Sequence, residues 1–422
     1  VSASAALRRP SDPAPPAGAA PRRVLFFIAY PQRMAGANRS LFELVTNLPP
    51  EVEPHVLVVA EGEVADTYRR AGIPCAVLGP GEGALGGFGK ALLKTSRLQR
   101  ARIAMAELLP YTLRLRRHIR EGGYDLVHVN DPRGALLAAP AARLAGRPVV
   151  AHLRGEFPFG RALRAVFERA GDRIVAVSDG ARRTLSPGGL RRAVTVYNGI
   201  RPLPTPAAKL PWIAGLRERG VVVVGCFASV VPFKGQHHLL RAAALLRERG
   251  LGGDRVAFVC VGDLVREQGA YHDWLRELAA ELGVDNVTFA GWQADPFPFY
   301  AHVDVSVLPS VSRERLVLGG REVDVRGNEG FPRTHLEAMQ MGIPVVGTAI
   351  AGVPEQVADG ETGFVVPPAD PAALADALER LVRSAELRAS MGRAGRERVE
   401  RLFSTASYVR GVMEVYRQVW RG

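Results

Sequence analysis

At 422 residues with 47% hydrophobic content, the chain is long enough to bury two cores, and its 45 glycines and 31 prolines suit a many-turned α/β protein. Its net charge of +13 favours anionic small molecules and anionic membrane surfaces over acidic proteins. No aromatic-interleaved basic repeat or zinc-type spacing points to nucleic acid, so none is expected as a partner.

Residues 1–22 mix Ala, Pro, Ser and Arg without an apolar block long enough for a signal sequence, and they read as a disordered leader. From Arg23 onward, β-like apolar runs at 24–29, 55–59, 126–129, 149–153 and 174–177 alternate with helical periodicity. Continuous apolar runs separated by helices imply a parallel sheet covered on both faces, whose ligands bind beyond the strand C-termini. Gly36-Ala37-Asn38-Arg39-Ser40-Leu41 follows the first strand and opens a helix, a layout in which backbone N–H groups meet an anion. His128, Asn130 and Arg154 stand at or just after strand ends, where a polar side chain faces the ligand; His152 lies within a strand and reads as a core histidine. Residues 87–120 hold nine Lys or Arg and one acidic residue, Glu107. Such a segment is either a solvated charged face, the favoured reading, or a basic amphipathic helix lying on an anionic membrane.

The proline-rich stretch 201–206 reads as a stiff linker, which sets the domain boundary near residue 205. A second set of β-runs begins at Val221, and the loop 229–236 that leaves its first strand carries Lys234, one of only four lysines in the chain. A lysine ammonium is a mobile point charge suited to a diphosphate. Further strands are expected at 256–261 and 286–291, the second leaving through Gly291-Trp292. The cysteines Cys75, Cys226 and Cys260 lack metal-type spacing and are expected to be reduced core residues. After the apolar run 303–309, residues 311–328 interleave Arg313, Arg315, Arg321 and Arg326 with Glu314, Glu322 and Asp324, and are expected to form a loop that acts as a lid or selects the acceptor.

Next comes Glu329-Gly330-Phe331-Pro332-Arg333-Thr334-His335-Leu336-Glu337, two carboxylates around a glycine turn and a helix start. Unpaired N–H groups at the positive end of that helix suit a diphosphate, while Thr334 and Glu337 in its first turn also read as a capping box. The final helix, about 404–420, has apolar spacing at Val409, Met413, Tyr416 and Trp420.

With the strand and turn signals at 342–348, 351–355 and 359–366, the segment 329–337 resembles the C-terminal half of the retaining glycosyltransferases of family 4, which have the GT-B fold and an E-x7-E signature. The resemblance runs from about Arg23 to the C-terminus. It implies two Rossmann-like domains whose parallel sheets face each other across a cleft: an acceptor-side domain over 23–205, a nucleotide-sugar-binding domain over 206–403, and a helix over 404–422 that crosses back to the first. By the resemblance, Glu337 would hold the ribose hydroxyls and Glu329 the sugar hydroxyls near the anomeric carbon. Lys234 and the backbone from Phe331 to Thr334 would steady the departing diphosphate. Gly330, Pro332, Arg333, Ser229, Gly36 and Gly291 complete the donor side, Trp292 would stack on the base or pack under a loop, and His128, Asn130, Asn38 and Arg39 stand on the acceptor side.

Three positions depart from the family pattern. Met34-Ala35-Gly36 keeps one of the two usual glycines. Arg154 replaces a frequent histidine; its pKa above about 12 rules out proton shuttling, but its fork suits an acceptor carboxylate or phosphate, so it joins Glu329 and Lys234 as a catalytic candidate. The family's arginine ahead of the lysine is replaced by Ala228 and Ser229, so a substitute, Arg333 or one from 313–326, is expected.

The expectation is a retaining, metal-independent hexosyltransferase that moves a sugar from a nucleoside-diphosphate sugar to a hydroxyl acceptor: a glycan, a lipid-linked molecule or a small molecule. It needs no cofactor. No Asp-x-Asp stands where a divalent metal would bridge phosphates, and front-face attack needs only tight positioning of the acceptor. A cytoplasmic protein, peripheral on the inner membrane face if the basic segment binds lipid, fits these features. The alternatives are a sugar-nucleotide epimerase of the same fold and a non-catalytic sugar-nucleotide-binding partner of a transferase.

Overall fold

The computed structural model describes residues 20–81, 96, 102–156, 160–203, 210–264, 268–327 and 329–421. The expected leader up to residue 19, most of the basic segment before residue 102, and the proline-rich stretch from residue 204 lie outside the described residues. The chain divides into two compact units: Val1–Gly199 together with Thr405–Gly422, and Ile200–Ser404.

The first unit holds β1 (Arg22–Ile28), β2 (Val52–Val58), β3 (Cys75–Val77), β4 (Leu126–Val129), β5 (Val149–Leu153), β6 (Arg173–Ala176) and β7 (Ala193–Thr195). They form one parallel sheet in the order β3-β2-β1-β4-β5-β6-β7. Edge strand β3 is absent from the expected strands: it is only three residues long, and its half-buried or exposed Cys75-Ala76-Val77 is too short a run to read as a strand. The terminal helix Thr405–Arg421 packs into this unit: Tyr408, Val409, Val412, Met413 and Tyr416 share a core with Val24, Phe26 and Ile28 of β1. Its first residue is fastened by the Thr405 hydroxyl, which donates to Glu43 Oε1 at 2.7 Å.

The second unit holds β8 (Val222–Phe227), β9 (Val256–Val261), β10 (Val287–Gly291), β11 (Val305–Leu308), β12 (Arg313–Leu318), β13 (Arg321–Arg326), β14 (Val345–Thr348) and β15 (Gly363–Val366). A parallel sheet runs β10-β9-β8-β11-β14-β15. Strand β8 is buried at every position, which is why it reads as an unbroken apolar run rather than an alternating one. The winding reverses between β8 and β11, and the C-terminal ends of these neighbouring strands mark the switch point at which open α/β sheets bind their ligands. Cys226 and Cys260 are register partners on β8 and β9, both buried and free.

Residues 311–328 correct an expectation. Residues 313–326 form an antiparallel hairpin of β12 and β13, turned by Gly319 and Gly320, whose φ angles of +56° and +75° suit a tight two-residue turn. Leu316, Leu318 and Val325 are buried in the core of the unit, with Val323 partly so. The segment is an anchored element, not a loop free to act as a lid. Leu316 and Leu318, and Val323 and Val325, alternate with the period of a half-buried strand, but these short stretches are concealed by the charges around them. Among the described residues no helix is long and apolar enough to cross a membrane.

Candidate active site

The reversal point of the second sheet gathers the chemistry. Beyond β8 the chain passes through Ser229 into a single 3-10 turn, Pro232–Lys234. Gly235 follows with φ +73°, and a Cβ there would stand 1.9 Å from the Pro309 carbonyl oxygen. Only glycine lets the loop after β8 lie this close to the chain leaving β11. The Val311 N–H donates to the Phe233 carbonyl at 2.8 Å and fastens the two. Lys234 thereby meets Glu329, with Nζ 2.7 and 2.8 Å from the two carboxylate oxygens. The Ser310 hydroxyl donates to Glu329 Oε2 at 3.3 Å, and its own carbonyl accepts from the Thr348 hydroxyl at 2.5 Å.

The helix Arg333–Gln340 starts after Pro332 with no side-chain cap. Thr334 and Glu337 form no capping box: Glu337 falls in the second turn, accepts from the Tyr300 hydroxyl at 3.1 Å, and lies 3.5 Å from Arg333 Nε. Tyr300 stacks on Phe227 with ring centroids 3.8 Å apart, which ties Glu337 to the end of β8. Arg333 Nε and Nη1 are buried and make no hydrogen bond. A lysine, an under-satisfied guanidinium and an uncapped helix start therefore share one loop cluster, a donor set suited to a diphosphate.

The backbone between the two glutamates is held from behind. Gly330 O accepts from Gly352 N at 2.9 Å, Pro332 O accepts from Gln356 Nε2 at 2.9 Å, and Phe331 packs edge-on against Phe403. His335 is fully buried against Gly347, where a Cβ would stand 2.6 Å from the imidazole; burial pushes its pKa down to about 4, so it is neutral. Ser229 is exposed and gives its carbonyl to Gln236 Nε2 at 3.0 Å. Gly291 ends β10 with φ +71°, and Trp292 beside it is 61% exposed, so it is not packed under a loop.

In the first unit, Gly36 opens the helix Gly36–Val45, also without a side-chain cap, and a Cβ there would meet nothing. The Asn38 amide donates to Tyr30 O at 2.8 Å and Arg33 O at 2.9 Å, and Arg39 Nε donates to Met34 O at 2.9 Å. Both residues clamp their own loop, and Asn38 Oδ1 accepts from Asn130 Nδ2 at 3.3 Å. His128 corrects an expectation. It is fully buried, with Nδ1 2.7 Å from the Tyr416 hydroxyl and Nε2 3.2 Å from His152 Nδ1, and burial pushes its pKa to about 3. His152 is a core histidine as read. Arg154 Nε donates to Asn130 Oδ1 at 2.9 Å, and Nη1 donates to Asn198 Oδ1 at 2.9 Å and the Tyr408 hydroxyl at 3.0 Å. Its Nη2 is buried without a partner.

Sequence reasoning missed Ser310, Thr348 and Tyr300. Only Ser310 carried a local signal, as a polar residue just past a strand end; the others become partners through the sheet order.

Two doubly wound units, with a lysine–carboxylate cluster at the reversal point of the second, define the GT-B class of glycosyltransferases. Comparison with known proteins agrees on both halves. Residues 34–202 match the family described as Glycosyltransferase Family 4, and residues 216–398 match that described as Glycosyl transferases group 1. A GDP-mannose-dependent alpha-(1-6)-phosphatidylinositol monomannoside mannosyltransferase of Mycobacterium tuberculosis is 34% identical over 302 residues, covering 68% of this chain and 74% of that protein. A D-inositol 3-phosphate glycosyltransferase of Saccharomonospora viridis is 34% identical over 256 residues, 58% of this chain and 53% of its own length. Among solved structures, Anabaena HepE in complex with UDP superposes with a TM-score of 0.75 at 21% identity, covering 94% of this chain and all (100%) of that one. The chain belongs to glycosyltransferase family 4, and it is an enzyme that transfers glycosyl groups.

Proposed function

We propose that this chain transfers a hexosyl group, with retention and without a metal bridging the phosphates, from a nucleoside-diphosphate sugar to a hydroxyl acceptor. The observation that carries the reading is the Lys234–Glu329 pair beside the under-satisfied Arg333 at an uncapped helix start. In it Arg333 takes the place of the arginine missing at Ala228 and Ser229, and donor phosphate completes its hydrogen bonds. Lys234 uses two N–H groups on Glu329 and has a third for the departing diphosphate, whose charge grows as the glycosidic bond breaks. Glu329, held by Lys234 and Ser310, is oriented toward sugar hydroxyls rather than set up as a nucleophile. That supports front-face attack, in which the leaving phosphate takes the acceptor proton. Glu337, fixed by Tyr300 and Arg333, receives the ribose hydroxyls. On the acceptor side, Arg154 and Asn130 present the polar cluster, with the free Arg154 Nη2 as the anion-binding point.

Peripheral binding to an anionic membrane belongs to the same reading. Met105, Leu109 and Leu113 are 66%, 46% and 50% exposed, four residues apart, beside Arg114, Arg116, Arg117 and Arg120. This combination suits an anionic lipid surface better than bulk water.

The test is calorimetric binding of a panel of UDP-, GDP-, ADP- and dTDP-sugars to wild type, Lys234→Ala and Glu337→Ala. It begins with GDP-mannose, the donor in the mycobacterial relative's name. Selective binding that both substitutions weaken, followed by transfer with the anomeric configuration kept, is expected. Donor binding unaffected by either substitution, or an inverted product, refutes the reading.

A further inference from the structure

Outside this site, the second unit contains a buried cluster that the transfer reaction does not use. His237 and His238 open the helix Gln236–Glu248, directly after the Lys234 turn, and Glu314 reaches them from β12. Their side chains are 0%, 4% and 17% exposed. Glu314 Oε2 lies 3.0 Å from His237 Nε2 and 3.1 Å from His238 Nε2, and the three ligand atoms lie within 4.8 Å of one another.

Completing the surrounding hydrogen bonds assigns the His237 proton to Nδ1. Gln236 Nε2 donates to the Ser229 carbonyl at 3.0 Å, which turns Gln236 Oε1 toward Tyr271. The Tyr271 hydroxyl donates to that oxygen at 3.4 Å, so it accepts from His237 Nδ1 at 2.9 Å. With its proton on Nδ1, His237 aims the Nε2 lone pair at a carboxylate oxygen 3.0 Å away. Two acceptors in contact in a buried place need a cation or an extra proton between them. A second imidazole, that of His238, meets the same carboxylate oxygen at 3.1 Å, and both histidine side chains are buried, so one shared cation serves all three groups.

We infer that His237, His238 and Glu314 bind one divalent first-row metal ion, with zinc the best match, and that this ion pins the β12–β13 hairpin to the helix that follows Lys234. Two imidazoles and a carboxylate are a recurrent zinc ligand set. Tetrahedral bonds of about 2.0–2.1 Å place ligand atoms about 3.3 Å apart, within a few tenths of an ångström of the separations at Glu314. Tyr271 supplies the outer hydrogen bond that orients a metal-bound histidine. The partly exposed Glu314 leaves the fourth position to water. The ion is structural, distinct from any metal on the donor phosphates.

The experiment uses the full chain, dialysed against EDTA and titrated with zinc chloride by calorimetry, with thermal unfolding alongside. One zinc per chain is expected, with unfolding raised by about 5–10 °C at roughly 100-fold excess over the dissociation constant. Glu314→Gln keeps a hydrogen-bonding side chain of the same shape and should lose zinc affinity by more than about 100-fold, with its fold checked by thermal unfolding in EDTA. His238→Gln gives the same loss if Glu314→Gln proves unstable, and Tyr271→Phe weakens binding about tenfold. Stoichiometric zinc binding unchanged in Glu314→Gln or His238→Gln, or the absence of stoichiometric binding to wild type, overturns the assignment.

Discussion

Replacing Lys234 by methionine tests the clamp at the centre of the site. The substitution keeps much of the side-chain volume but leaves the Glu329 carboxylate, 9% exposed, with only the 3.3 Å bond from Ser310. Removing one partner of a buried ion pair costs about 3–5 kcal/mol, and the low end applies because Ser310 remains. For a unit of this size that is a fall of roughly 6–12 °C in unfolding temperature. Glu329→Gln should cost less, about 1 kcal/mol, because the lysine is 17% exposed and its flexible stem can swing the ammonium to water. The double variant then recovers about 2 kcal/mol relative to the sum of the singles. Tryptophan fluorescence during urea unfolding is the assay, since Trp212, Trp274 and Trp292 report on the second unit and only Trp420 on the first. Additive single and double effects, or a Lys234→Met cost below about 1 kcal/mol, would refute the argument that the pair is electrostatically coupled in a buried site.

Gly235→Ala should destabilise the second unit by at least roughly 3 kcal/mol, from a left-handed φ and a Cβ 1.9 Å from the Pro309 carbonyl; a midpoint within about 0.5 kcal/mol of wild type would show that the loop yields. Stability should be level above pH 7 and fall from about pH 6.5 toward pH 4, because His128 (pKa about 3), His152 (well below normal) and His335 (about 4) are neutral when folded and protonate only when unfolded. His335 alone accounts for roughly 3 kcal/mol of that slope, and urea midpoints of His335→Gln across this range should be visibly flatter. Co-sedimentation with anionic vesicles at low salt should capture the protein, and Leu113→Glu should cut the bound fraction about tenfold; wild-type protein left in the supernatant ends the membrane proposal.

The sequence by itself determined the elements and the donor motif. Strands buried on both faces write themselves as unbroken apolar runs, so β4 and β5 were read at their observed limits and β8 to within a residue. Glu329, Arg333 and Glu337 declared themselves through spacing around one glycine turn, which is local information. What tertiary structure decided were the relations between distant segments. The pairing of Lys234 with Glu329 depends on β8 and β11 being neighbours and on Gly235 fitting against Pro309. The burial of His128 depends on Tyr416 of a helix 288 positions further on. The His237–His238–Glu314 cluster joins a helix start to a strand 76 and 77 positions away. Side-chain period reports which face of an element is buried, but not which other element covers it. For that reason the charged hairpin at 313–326 read as a loop, and His128 as a ligand contact, until the packing was known.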